Sequence, residues 1–120
     1  MLAKDKLIGE VKLPGADRAV NSILLDLTQR ATRNQSATFA QLLLNEVDDV
    51  ATLLRTSHRD GGFVVLLAPD VPAVLLEMGF MTSPEDEKAL TDPATRKRVM
   101  AAVRASIDHY FSQDAKYAAK

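Results

Sequence analysis

Phe63-Val64-Val65-Leu66-Leu67-Ala68-Pro69-Asp70-Val71-Pro72-Ala73-Val74-Leu75-Leu76-Glu77-Met78-Gly79-Phe80-Met81 is the stretch on which the fold class turns. Phe63 to Leu67 is apolar and β-branched without alternation, the pattern of a strand covered on both faces. Pro69-Asp70-Val71-Pro72 interrupts it, and Ala73 to Met81 reads as a second buried strand. His58-Arg59-Asp60-Gly61-Gly62 ahead of the first strand is a loop, since paired glycines disfavour any helix. Two strands covered on both faces leave open edges. The sheet is therefore completed by a second copy of the chain or by strands outside this sequence.

Helical patterns flank the two strands. Pro14-Gly15 marks a turn, and Asp17 is placed to cap a helix with the apolar stripe Val20, Ile23, Leu24, Leu27 and Ala31. Arg33-Asn34-Gln35 reads as a polar break. A second stripe follows at Phe39, Leu42, Leu43, Val47, Val50 and Leu54, so the pair predicts a helical hairpin or one long kinked helix. After the strands, Thr82 or Ser83 caps a short helix that has Pro84 in its first turn and Glu85, Asp86 and Glu87 at its positive end. Asp92-Pro93 repeats that start for a last helix. Its stripe is Val99, Val103, Ile107, Tyr110 and Phe111, with Arg96, Lys97, Arg98 and Arg104 in water. The expectation from these patterns is an α/β chain in the order helix, helix, strand, strand, short helix, helix, with no second domain boundary.

Composition removes several function classes. With 120 residues, 47% hydrophobic and 26% charged, the chain suits one globular core. Lys+Arg 15 against Asp+Glu 16 gives a net charge of -1, so no basic field exists to draw nucleic acid. The chain has no cysteine, which excludes disulfides, cysteine-held zinc and a thiol nucleophile. Its longest apolar run, Phe63 to Ala68, is far below the roughly 20 residues that span a bilayer. Residues 1–15 lack the apolar core of a secretion signal.

Glu77 is the residue that the apolar pattern does not explain. A lone carboxylate inside a dry strand is costly, and it either finds a cation or serves as a general base or metal-site acid. An ion pair in the core, or an edge position facing water, is the ordinary alternative. His58 and His109, the two histidines, lie on different predicted elements and do not amount to a zinc site. His58 reads as a loop residue and His109 as part of a polar helix face. No nucleophile elbow, P-loop or dinucleotide fingerprint occurs. Arg96-Lys97-Arg98 reads as a solvated helix face.

The string from Gly62 to Lys88 resembles the C-terminal signature of zinc-dependent N-acetylmuramoyl-L-alanine amidases. In that family a phenylalanine-led strand precedes an A-P-D-I/V-P turn, then a V-L-V-E strand and a G-F-x-S-N-P-x-x-E segment. Here Leu76 stands where Val is common, and Ser83-Pro84 stands where Asn-Pro is usual. Upstream, Leu7-Ile8-Gly9-Glu10-Val11, the helix Val20 to Gln29, and Asn34-Gln35-Ser36-Ala37-Thr38-Phe39-Ala40 resemble the inserted regulatory region of the Gram-negative, cell-division branch. The resemblance runs from about Lys6 to Phe111 and covers the C-terminal portion of the family's catalytic domain.

The resemblance implies a peptidoglycan hydrolase of the periplasm that cuts the amide between N-acetylmuramic acid and L-alanine. In such enzymes zinc activates water and a glutamate of the V-L-V-E strand assists proton transfer, and that glutamate falls on Glu77. It also implies that residues 17–33 form an autoinhibitory helix, displaced by an activator protein of the LytM type. Asp17 and Asp26 are the carboxylates available there to reach the metal, with solvent exposure as the ordinary role of each. The D-x-G-H-G-G and S-x-H-A-N motifs that hold zinc in this family do not occur. The expectation is therefore zinc in a full-length enzyme, none in this chain alone, and no activity for the isolated chain. The resemblance implies that residues 1–120 form part of an α/β amidase fold, helices packed on the last strands of a mixed sheet, with a regulatory helix at 17–33, the last two strands at 63–81 and a C-terminal helix at 93–112. The alternative is a non-catalytic, amidase-derived module that binds an activator.

Overall fold

The computed structural model describes residues 17–118, with side chains to residue 113. The readings at Leu7–Val11 and Pro14-Gly15 lie outside them. In chain order the elements are α1 (Arg18–Asp48), a single 3-10 turn η1 (Val64–Leu66), α2 (Pro84–Thr91) and α3 (Pro93–Ala118). Among the described residues there is no strand and no sheet, so the expected α/β fold is corrected to a helical one.

Both strand readings fail for one reason. β-propensity measures how well a residue fits a pleated surface beside other strands, and it stabilises nothing without a neighbour to pair with. Of the first stretch, Val64, Val65 and Leu66 close a 3-10 turn, with Leu66 N–H donating to Phe63 O at 2.9 Å and Leu67 N–H to Val64 O at 3.1 Å. The second, Ala73 to Met81, has no regular secondary structure and ends in a turn at Met81.

The polar break at residues 33–35 does not interrupt α1. Arg, Asn and Gln cost a helix only a few tenths of a kcal/mol each relative to Ala. Ser36 turns its hydroxyl back to donate to Thr32 O at 2.9 Å, as a mid-helix serine does. Asp26 and Arg30 pair one turn apart at 2.9 Å, and Gln41 donates to Asn45 at 2.9 Å on the same pattern. Asp17 stands at the start, its carbonyl accepting Asn21 N–H at 3.0 Å. The helix ends at Asp48, so Val50 and Leu54 of the expected stripe lie past it.

The residues form two compact units. One takes in the chain up to Ala37 with Asp60–Val74, and the other Thr38–Arg59 with the chain from Leu75 onward. In the first, the Thr32 hydroxyl donates to Pro69 O at 2.7 Å, and Ala73 N–H donates to Ser36 Oγ at 3.0 Å. These two bonds tie the irregular chain to two successive turns of α1. A Cβ at Gly61 would stand 2.7 Å from the exposed Phe63 ring, which would then have to shift.

The second unit holds the buried apolar residues Leu43, Val47 and Ala102. Phe39 of α1 and Tyr110 of α3 meet with ring centroids 5.4 Å apart. The small Ser106 is wholly buried, its hydroxyl donating to Val103 O at 2.7 Å. Asp92 joins α2 to α3. Its N–H closes α2 on Lys88 O, and its carboxylate accepts from the Thr95 amide at 2.8 Å and the Thr95 hydroxyl at 2.6 Å. Arg96 reaches back to the α2 carbonyls of Leu90 and Thr91, at 2.9 and 3.0 Å, as a basic side chain does at a helix C-terminus.

Two outcomes are expected. The hydroxyl of Thr95, then its amide, hold the Asp92 carboxyl below its ordinary value of 3.8, with smaller help from the Ala94 amide and the Arg98 charge. A carboxyl depressed by folding stabilises the fold above its unfolded pKa, and that contribution disappears as pH falls through the folded value. Asp92→Ala should therefore lower the thermal midpoint at neutral pH. Its deficit against the parent should shrink below pH 3.8, as followed by circular dichroism. Leu43→Ala should cost about 2–5 kcal/mol in urea unfolding, from lost burial and the cavity left behind.

Candidate functional site

Glu77 lies in the irregular segment between Pro72 and Phe80 and is exposed. The expectation of a buried carboxylate is corrected, because no sheet forms to bury it. Among the described residues Glu77 has no hydrogen bond and no ion pair, so both carboxylate oxygens are unengaged. The apolar neighbours Leu75, Met78, Phe80 and Met81 are exposed with it, Met81 completely.

The chain just beyond Glu77 is firmly held. Ser83 caps α2, its hydroxyl accepting Asp86 N–H at 3.2 Å, with Pro84 at the first helical position. Of the two caps that the sequence offers, Thr82 and Ser83, it is Ser83 that takes the role. In the usual capping box the third helical residue reaches back to the cap's own amide. Here Ser83 N–H is already taken by Phe80 O at 3.1 Å, which closes a turn over residues 80–83. The Asp86 carboxylate reaches further back and accepts Phe80 N–H at 2.8 Å. Both backbone polar groups of Phe80 are thus fixed. Gly79 lets this happen, since a Cβ there would stand 3.0 Å from Asp86 Cβ and 3.2 Å from Cγ. Sequence reading recognised Asp86 only as an acid at a helix start. The glycine beside an S-x-x-D cap was the available sign of a closer approach.

The remaining candidates are not brought together with Glu77. Asp26 is occupied by Arg30, and Asp17 is exposed at the head of α1. His109 Nε2 lies 3.1 Å from the Gln113 amide nitrogen, and Nδ1 stands 3.9 Å from Glu46 Oε1, beyond hydrogen-bond distance. His58 is exposed at an open groove of about 420 Å³ that it shares with Gln41, Asp48 and Arg55. Zinc held by protein needs several His, Cys or carboxylate donors converging at about 2.0–2.3 Å. Among the described residues no group of three or more such side chains gathers. The donor set does not fit a zinc site.

Residues 15–109 match the N-acetylmuramoyl-L-alanine amidase family, and the chain belongs to it. The N-acetylmuramoyl-L-alanine amidase AmiC of Escherichia coli O6:H1 is 33% identical over 109 residues, which are 91% of this chain and 26% of that protein. AmiA of Escherichia coli K12 is 33% identical over 107 residues, 89% of this chain and 37% of that protein. The probable cell wall amidase LytH of Staphylococcus epidermidis RP62A is 34% identical over 80 residues, 67% of this chain and 28% of that protein. The chain thus spans between about a quarter and somewhat over a third of the length of these relatives. No solved structure matches it. No helix among the described residues is long and apolar enough to cross a membrane.

Proposed function

We propose that this chain is the portion of a peptidoglycan amidase that supplies the proton-transferring carboxylate, Glu77. The bond cut is the amide between N-acetylmuramic acid and L-alanine. The observation that supports this most is the family match over residues 15–109, which includes Glu77 and its flanking motif. An unengaged carboxylate next to a scissile amide accepts a proton as water adds to the carbonyl carbon. It returns that proton to the nitrogen as the carbon–nitrogen bond breaks, freeing the amine of L-alanine. Zinc belongs to the full-length enzyme in this reading, and no step is assigned to it because the described donors do not fit it. The periplasm is the corresponding compartment.

The test uses a hybrid in which this chain replaces the matched stretch of Escherichia coli AmiA. Glu77→Gln should lower hydrolysis of a soluble muramoyl-peptide by about a hundredfold or more, with an unchanged circular dichroism spectrum. The 120-residue chain alone, supplied with zinc, should show no turnover. Full activity in the Gln variant, or cleavage by the isolated chain, would overturn the reading.

A second role is favoured by the stripe on α1. Val20, Ile23, Leu24 and Leu27 are 46%, 60%, 42% and 56% exposed, where a globular helix ordinarily covers such residues. Residues 17–33 are proposed as the regulatory helix, taking an activator protein of the LytM type on this face. Ile23→Asp with Leu27→Asp should abolish binding of the purified activator in calorimetry while leaving the helical content intact. Unaltered affinity would exclude this face.

A further inference from the structure

We infer that Asp86 is a positioning residue for Glu77, with Gly79 as the clearance that lets it act. The inference rests on the role proposed for Glu77 and adds what holds that side chain's backbone in place. Three observations converge. The segment that carries Glu77 lacks the ladder of a sheet, so its geometry depends on isolated hydrogen bonds. Phe80 is the residue where that dependence concentrates, because its N–H goes to Asp86 at 2.8 Å and its carbonyl to Ser83 N–H at 3.1 Å. Asp86 is itself set by the Ser83 hydroxyl on its amide, so carboxylate, cap and turn form one closed arrangement. Gly79 lies between Glu77 and this anchor, and a Cβ there, 3.0 Å from Asp86 Cβ, would require Asp86 to give way by a few tenths of an ångström.

The charge of Asp86 also suits the positive end of α2, so a plain deletion would disturb the helix as well. The acceptor is therefore separated from the charge by comparing two variants. Asp86→Asn keeps a carbonyl oxygen for Phe80 N–H and drops the charge, whereas Asp86→Ala drops both. Gly79→Ala keeps the carboxylate and displaces it.

Two measurements decide the inference. In the isotope-labelled 120-residue chain, Asp86→Ala and Gly79→Ala should raise amide exchange at Phe80 about tenfold and loosen the backbone at residues 77–80, while Asp86→Asn stays near the parent. In the AmiA hybrid, Asp86→Ala should lower kcat about ten- to a hundredfold with KM within about twofold, and Asp86→Asn should restore most of it. Equal loss in the Asn and Ala variants would mean that the helix charge matters and the anchor does not. Parent-like kcat in Asp86→Ala, with Glu77→Gln inactive, would overturn the role of Asp86 alone. An active Glu77→Gln would overturn the reading of Glu77 and this inference with it. Should the hybrid fail to fold, unchanged backbone order at residues 77–80 in Asp86→Ala still overturns the inference.

Discussion

Between the end of α1 at Asp48 and the start of α2 at Pro84, the chain contains only the 3-10 turn Val64–Leu66. Every backbone amide and carbonyl in that stretch needs a partner, and neither helix nor sheet supplies most of them. Short polar side chains take over at a few points. Thr32 holds Pro69, Ser36 holds Ala73, and Asp86 holds Phe80. Each is a side-chain-to-backbone bond from a helical residue, the kind of contact that Ser, Thr and Asp make where regular structure is missing. Of these, the bond between Asp86 and Phe80 is the one nearest Glu77 along the chain.

The same stretch explains how the apolar residues are distributed. The buried apolar residues, Leu43, Val47 and Ala102, come from α1 and α3, whereas Phe63, Val64, Val65, Leu75, Met78, Phe80 and Met81 face water. All of them fall inside the segment that matches the amidase family. Leu75, Met78, Phe80 and Met81 flank the acid that the family motif marks, so a substrate or partner that reached Glu77 would meet exposed apolar side chains as well.

Helix starts were the most legible features. Ser83 with Pro84 and Asp92 with Pro93 combine a capping side chain with a residue preset for the first helical turn, and both helices begin there. Such signals work because cap and proline act within one turn of the chain. The break expected at residues 33–35 failed by the same measure, since weakly unfavourable residues without Gly or Pro do not stop a helix. Phe63–Leu67 and Ala73–Met81 failed for a different reason. Their β-branched and apolar character was read correctly, but pairing is a property of two segments at once. Glu77 was singled out because a carboxylate interrupted an apolar run, and its exposure, given only as an alternative, depended on that absent pairing.

By itself the sequence determined the helix boundaries set by local caps, the absence of cysteine chemistry and of a basic field, the family, and the candidate acid Glu77. Each of these comes from side chains acting on their own neighbourhood or from the order of residues in a motif. Only the tertiary structure decided that α1 runs unbroken, that the apolar stretch stays unpaired among the described residues, and that Asp86 reaches Phe80. Those outcomes depend on groups distant along the chain, or on which of several competing hydrogen bonds prevails, and no local pattern encodes them.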